Sequence, residues 1–333
     1  MQEAIDGREL IVLDDLEVTV RGTYHKPSIN SFVDQQQPGT QSRIGVLFLN
    51  GLYATRASNG DSAVYWADSL AERGYPCFRI DLPGYGDSDG DPPADWLGFI
   101  NMGGYASVAA AAMKTLVSRF QLSGMVIVGH CAGAVSAVYA AAASQDCKGL
   151  VLMDPYFHLP QTASPSVRQK LRVWAMQSRI GASLSKLLDF FKHIRLLLYR
   201  NAPPANANLK LLRCWKDLAS TGLPVLFLKA PTRRAPGIKA RVGEFDYLEY
   251  ALKLAGRKSK VVVKVMEGAN HSFSNITGRV AVRQNTELWL SACFPLTQSN
   301  QELLAVSHRE VGSGSNGSMY RLHAQPLSQK AEN

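Results

Sequence analysis

Short apolar runs alternate with stretches of helical pattern over most of the chain from residue 44 onward. The apolar runs are nearly continuous in Val, Ile, Leu and Phe, which is typical of strands in a sheet that is buried on both faces. The sequence predicts strands over residues 44–49, 77–80, 125–128, 149–153, 225–228 and 261–265. It predicts helices over residues 62–73, 105–120, 132–144, 247–254 and 280–290.

Strands and helices that alternate in this way form βαβ units. The predicted fold class is therefore α/β, with a mostly parallel central sheet that is flanked by helices. In such sheets the functional groups gather at the carboxyl ends of the strands. Residues that directly follow a predicted strand are thus the first candidates for a site.

Three segments depart from this alternation. Two β-prone runs, residues 9–13 and 16–20, are separated by Asp14-Asp15 and predict a hairpin. Residues 155–222 contain no apolar strand but several helical segments, which predicts a helical cap inserted over one end of the sheet. Residues 296–333 are polar and rich in Ser, Gly and Gln, which predicts a disordered tail. The α/β core is accordingly expected in residues 1–154 and 223–295.

The composition is that of a globular protein, with 46% hydrophobic and 19% charged residues. No apolar run approaches the roughly 20 residues that a membrane span needs. The acidic start lacks the features of a signal peptide, so we expect a cytoplasmic location. The five cysteines have neither disulfide nor metal-ligand spacing, and no phosphate-binding loop occurs, so we expect neither a metal nor a cofactor.

The strongest chemical motif is the stretch Gly129-His130-Cys131-Ala132-Gly133, which follows a β run and leads into an Ala-rich helix. A Gly-x-Cys-x-Gly sequence in this setting is a nucleophile elbow with cysteine in the place of serine. The glycines are needed because the turn is strained and side chains at both positions would clash with neighbouring backbone. The turn aims the sulfur at a helix amino terminus, which favours a thiolate. His130 is expected to point away from the sulfur and to shape the elbow.

Together with this motif, four other segments resemble the α/β-hydrolase fold superfamily. Residues 47–52 look like its first central strand and oxyanion loop, and residues 79–88 match its D-x-P-G-x-G-x-S segment. Residues 149–155 look like the strand that leads into the cap, and residues 268–273 look like the loop that delivers the catalytic histidine. The resemblance covers residues 40–295. It is nearest to the serine-aminopeptidase-like hydrolases and, among these, to bacterial exosortase-associated hydrolases, some of which carry Cys at the elbow.

The remaining members of a catalytic triad have candidates at different strand ends. His271 follows the last predicted strand and a Gly-Ala-Asn turn, so it can reach toward Cys131. For the acid, Asp246 is the first choice because it lies in a segment that looks like the family's G-x-x-D. Asp154, at the end of the strand before the cap, and Glu244 are the alternatives. The backbone amides of Leu52 and Ala132 are expected to form the oxyanion hole.

This set of residues predicts nucleophilic acyl transfer. His271 would take the thiol proton, Cys131 would attack an acyl carbonyl, and the acid would orient the imidazole. Because a cysteine acyl-enzyme is itself a thioester, thioesters and activated esters are favoured over amides as substrates. Two other hypotheses stay open at this point: a lyase-like enzyme that uses the Cys–His pair as a base, and a non-catalytic binding protein on the same fold.

The net charge of +9, from 36 basic and 27 acidic residues, is concentrated in one part of the chain. Residues 155–222 hold eleven basic and two acidic residues, whereas the rest of the chain is neutral, with 25 of each. A basic cap above an acyl-transfer site indicates the steering of an anionic substrate rather than nucleic-acid binding. We expect a small-molecule acyl substrate bound to CoA or to an acidic carrier protein, with an anionic membrane surface or a merely solvated helix face as alternatives.

Overall fold

The computed structural model describes residues 7–28, 43–159, 203–231, 245–256 and 259–296. Its strands form one eight-stranded sheet in the order β1-β2-β4-β3-β5-β6-β7-β8. Their bounds are Arg8–Leu13 (β1), Val20–His25 (β2), Ile44–Leu49 (β3), Cys77–Ile80 (β4), Gly124–His130 (β5), Cys147–Met153 (β6), Val225–Lys229 (β7) and Val261–Val265 (β8).

The six strands β4, β3, β5, β6, β7 and β8, given in sheet order, run parallel. β1 and β2 form an antiparallel hairpin, and β2 pairs antiparallel with β4. β5 lies between β3 and β6, and its residue His130 is in register with Met153 of β6. The carboxyl ends of β3, β5 and β6 therefore meet at one edge, next to one another. The sheet confirms the α/β class predicted from the alternation of strands and helices.

Seven helices accompany the sheet in the described ranges: Ser62–Glu72 (α1), Trp96–Asn101 (α2), Ala106–Arg119 (α3), Ala132–Ala142 (α4), Leu209–Ser220 (α5), Tyr247–Ala255 (α6) and Ile276–Cys293 (α7). One hydrophobic core lies between the sheet and α1 with α7. The other lies between the sheet and α3, α4, α5 and α6. Both faces of the central strands are thus buried, which explains why those strands are apolar without alternation. None of the described helices is both long enough and apolar enough to cross a membrane.

The hairpin at the start of the chain differs from its prediction. Its second strand is β2, Val20–His25, rather than residues 16–20. β2 was missed because its sequence, Val-Arg-Gly-Thr-Tyr-His, is polar although most of it is buried. The polar groups are satisfied inside: His25 is 1% exposed, accepts a hydrogen bond from Arg79 Nε at 2.7 Å and donates one to Asp68 at 2.7 Å.

Most of the predicted cap, residues 160–202, lies outside the described residues. The predicted tail from residue 297 onward lies outside them as well. The last part of the predicted cap is described and packs on the body of the fold. Helix α5 contacts α4 and α6, and its side chains Leu211 and Trp215 are fully buried in the core. This helix therefore packs as part of the α/β core.

Candidate active site

Cys131 occupies a strained turn between β5 and α4. Its backbone has φ 51° and ψ −112°, a conformation that residues other than glycine rarely adopt. Its N–H donates to the Met153 carbonyl at 2.9 Å, and its own carbonyl accepts from Ala134 and Val135 in the first turn of α4. The strained conformation is thus held from both sides, and the sulfur lies at the amino end of a helix, where the helix dipole favours a negative charge.

Both glycines of the elbow are required by close backbone contacts. A Cβ placed on Gly129 would lie 2.6 Å from Ala134 Cα, and one on Gly133 would overlap the carbonyl oxygens of Leu49 and Asn50. Neither position can accept a side chain without opening the contact between β3, β5 and α4. The steric argument made from the Gly-x-Cys-x-Gly spacing therefore agrees with the packing.

His271 is hydrogen bonded to Asp154. The distance from His271 Nδ1 to Asp154 Oδ2 is 2.8 Å. Asp154 directly follows β6, has a left-handed backbone with φ 46°, and accepts the Ala230 N–H through its other oxygen at 3.0 Å. Its side chain is only 17% exposed. The carboxylate is therefore fixed in position and leaves one oxygen for the imidazole.

The imidazole also reaches the nucleophile. The hydrogen bond to Asp154 and a second one to Cys131 raise the pKa of His271 to about 10. Since Nδ1 is engaged by the carboxylate, Nε2 is the nitrogen left for the sulfur. Residues from the ends of β5 and β6 and from the loop after β8 thus come together as a chain of contacts from carboxylate to imidazole to thiol.

The acid in this chain of contacts is not the one that the sequence ranked first. Asp246 caps the amino terminus of α6, where its carboxylate accepts the Glu249 N–H at 2.9 Å, and it lies 3.9 Å from Lys229. The structure therefore pairs His271 with Asp154, whereas Asp246 lies at the start of α6. The reason lies in the sheet order: Asp154 directly follows β6, the neighbour of the nucleophile strand, whereas Asp246 comes after the more distant β7. Glu244, the other alternative, lies outside the described residues.

Leu52 and Ala132, the expected oxyanion donors, lie on two segments that approach the sulfur. Ala132 is the first residue of α4, where a backbone N–H has no acceptor within the helix. Leu52 follows Gly51, and a Cβ on Gly51 would be 3.6 Å from Cys131 Cβ. The segment of residues 50–56, named here the oxyanion loop, therefore borders the nucleophile directly.

The oxyanion loop is held in place by buried charged side chains. The Asp81 carboxylate accepts the Arg56 N–H at 2.5 Å and forms an ion pair with its guanidinium. Arg79 donates to the Arg56 carbonyl at 2.9 Å, and Asn50 Nδ2 donates to the Thr55 carbonyl at 2.5 Å. The Asp of the D-x-P-G-x-G-x-S segment, Asp81, thus fixes the loop.

Aromatic rings that the sequence analysis did not single out line the same edge. Tyr53, exposed and left-handed in its backbone, lies with its ring centroid 4.7 Å from that of Trp96, which stacks on Tyr85 at 4.3 Å. Because Tyr53 belongs to the oxyanion loop, this group of aromatic rings begins at that loop. No cluster of three or more His, Cys, Asp or Glu side chains within the described ranges could hold a metal ion.

Comparison with known proteins places this geometry in a family. A family model described as alpha/beta hydrolase fold matches residues 45–217. Among solved structures, an esterase of Pyrococcus furiosus aligns with a TM-score of 0.52 at 13% identity, over 86% of this chain and 92% of the esterase. A protein of Thermus thermophilus aligns with a TM-score of 0.51 at 17% identity, over 85% and 98% of the two chains.

A third structure, DcsB in complex with its substrate analogue, aligns with a TM-score of 0.53 at 15% identity, over 86% of this chain and 98% of DcsB. A search of curated proteins gave no significant match. At such identities the structural likeness shows the fold alone. The family match spans more than half of the chain and contains the elbow at Cys131, so this chain belongs to the alpha/beta hydrolase fold family.

Proposed function

We propose that this protein is a cysteine-dependent hydrolase or acyltransferase that acts on thioesters or activated esters. The observation that carries the proposal is the chain of contacts from Asp154 through His271 to Cys131, with the 2.8 Å hydrogen bond at its acidic end. The arrangement supplies a nucleophile, a base and an orienting acid within reach of one another, which is what nucleophilic acyl transfer requires.

In the first half of the reaction, His271 Nε2 takes the proton of the Cys131 thiol and the sulfur attacks the acyl carbonyl carbon. Because the contacts with Asp154 and Cys131 raise the pKa of His271 to about 10, the imidazole retains that proton at neutral pH while the sulfur attacks. The oxyanion that forms is stabilised by the amides of Leu52 and Ala132, worth about 3 kcal/mol per donor. Collapse expels the alcohol or thiol leaving group, which takes its proton from His271.

In the second half, water or an acceptor alcohol, amine or thiol attacks the acyl group on Cys131. His271 takes the proton of the attacking group, and the sulfur leaves as a thiolate. Because the acyl-enzyme is a thioester, its formation from a thioester substrate is nearly balanced in energy. This is the reason for favouring thioesters and activated esters over amides.

The basic residues of the cap support an anionic substrate carrier. Residues 160–202 contain eight basic residues and one acidic residue. The sequence predicts that these residues belong to a helical cap over one end of the sheet. Positive charge there would attract the phosphates of CoA or an acidic carrier protein and raise the rate of encounter at low ionic strength.

The test is acylation of Cys131 itself. Wild type, Cys131→Ala and Cys131→Ser are incubated with acyl-CoA and p-nitrophenyl esters of graded chain length, and the protein is analysed by intact and peptide mass spectrometry. We expect an acyl adduct on the peptide that contains Cys131, and a loss of turnover in Cys131→Ala. Full turnover in Cys131→Ala would overturn the proposal, and product release with no adduct would favour the lyase-like alternative.

A further inference from the structure

The buried histidine beside the nucleophile takes no part in the proposed reaction. It nevertheless contacts the segments that carry the reacting residues. His130 is the last residue of β5 and is only 5% exposed. Its Nε2 lies 2.9 Å from the carbonyl oxygen of His271. Its Nδ1 would lie 3.2 Å from a Cβ placed on Gly51 of the oxyanion loop. One imidazole thus lies between the elbow, the oxyanion loop and the loop of residues 268–275, named here the histidine loop.

The direction of the hydrogen bond follows from chemistry. A carbonyl oxygen only accepts, so Nε2 of His130 carries a proton and donates it. Burial lowers the pKa of His130 to about 4, so near neutral pH the ring is uncharged and its single proton lies on Nε2. Nδ1 is then unprotonated and faces Gly51, on which an added Cβ would lie only 3.2 Å away. The environment therefore selects one tautomer.

His271 needs such an anchor because packing does not hold it. Its side chain is 61% exposed, and the Asp154 carboxylate holds only the Nδ1 side of the ring. Its neighbour Phe273 is fully buried with a left-handed backbone at φ 50° and lies edge-on to the His130 ring, with centroids 6.0 Å apart. His130 therefore contacts the histidine loop in three ways: through the His271 carbonyl, through the Phe273 ring, and through the His271 ring, whose centroid lies 5.4 Å from its own.

We infer that His130 is a positioning residue for catalysis: its Nε2–H fixes the backbone of His271 so that the imidazole reaches Cys131 and Asp154 together. The inference rests on the proposed function for its role in turnover, but the geometry that it claims can be tested on the cysteine alone. It assigns to the residue before the nucleophile a task that the elbow motif does not require.

Three substitutions separate the hydrogen bond from the packing. His130→Gln places an amide N–H near the position of Nε2 and keeps the donor. His130→Asn is chemically matched but too short to reach the carbonyl. His130→Phe keeps a ring beside Phe273 and removes the donor. The melting temperatures of the three variants are compared first. If His130→Phe does not fold, the comparison of His130→Gln with His130→Asn alone tests whether the hydrogen-bond donor matters.

The main readout is the rate at which iodoacetamide alkylates Cys131, followed by peptide mass spectrometry from pH 5 to pH 10, because it needs no substrate. We expect His130→Phe and His130→Asn to slow alkylation at pH 7 about tenfold, the loss of one buried hydrogen bond. We also expect them to lower the apparent pKa of His271, measured by NMR of labelled histidine. His130→Gln should stay within about threefold of wild type. In turnover, kcat should fall while KM changes little.

Two results would overturn the inference. One is an unchanged pH profile of alkylation in folded His130→Phe or His130→Asn. The other is a His130→Gln variant that is as slow as His130→Asn although both are folded. If the alkylation results agree but no acyl adduct ever forms on Cys131, the proposed function fails and the positioning role stands.

Discussion

Replacing the acid that contacts His271 separates the two carboxylates that compete for this role. Asp154→Asn keeps an oxygen that can accept the Ala230 N–H, but it replaces the oxygen that faces His271 with an amide that cannot accept from Nδ1. Asp246→Asn is the matched control, because Asp246 caps α6 and Asn is an equally good capping residue. The same atom change is thus made at both sites, with a predicted effect at only one.

The size of the effect follows from the His271–Asp154 pair. A rise in the pKa of His271 from 6.5 to about 10 would correspond to about 5 kcal/mol if the pair were dry and Asp154 were its only cause. Cys131 contributes to the rise, and 61% of the imidazole side chain is exposed, so solvent screens the pair. We expect about 2 kcal/mol to be lost, which lowers kcat/KM and the rate of Cys131 alkylation roughly 30-fold.

The assays are alkylation of Cys131 across pH, hydrolysis of a p-nitrophenyl ester, and urea denaturation. In Asp154→Asn the apparent pKa of His271 should fall toward 6.5. Because a raised pKa stabilises the fold below pH 6.5 and this stabilisation is lost as the pH rises toward 10, the two proteins should converge in stability at high pH. A loss of activity in Asp246→Asn with wild-type behaviour in Asp154→Asn would refute the assignment of the acid.

Three further predictions concern stability. Burial lowers the pKa of both His25 and His130 to about 4, so between pH 6.5 and pH 4 the unfolded chain binds protons that the folded chain excludes. As the pH falls through that window, the free energy of unfolding measured by urea titration should fall by up to about 3 kcal/mol per histidine. A free energy of unfolding that does not change with pH would contradict this. Gly133→Ala should lower the free energy of unfolding by about 1–3 kcal/mol and lower the melting temperature, because the added Cβ meets backbone carbonyl oxygens. An unchanged melting temperature would show that the elbow can open. Asp81→Asn should cost about 3 kcal/mol, since it leaves the Arg56 guanidinium without its fully buried partner, and a loss below 1 kcal/mol would argue against the ion pair.

The parallel strands could be predicted to within two residues at each end, whereas the hairpin and the first short helix could not. Residues 44–49, 77–80 and 261–265 are strands with the predicted bounds. β2 was misplaced because its buried polar side chains depend on Arg79 and Asp68, which are distant in sequence. α2, Trp96–Asn101, was missed because six residues carry too little periodic pattern.

The candidate site, too, could be predicted from the sequence only in part. The Gly-x-Cys-x-Gly spacing between a strand and a helix was sufficient to predict the elbow at Cys131, because sterics within a few residues impose those glycines. His271 could be recognised by the loop that follows the last strand. The contact of Asp154 with His271 and the contacts of His130 could not, since both depend on which strands are neighbours.

What the sequence by itself determined is therefore local: the alternation of strands and helices, the strained turn with its cysteine, and the absence of metal-ligand spacing. Only the tertiary structure decided that Asp154 rather than Asp246 meets His271, that Asp81 holds the oxyanion loop, and that His130 joins three loops. The physical reason is that hydrogen bonds of about 3 Å are made across the edge of the sheet. Strand order, which arises from long-range packing, sets which side chains come within that distance.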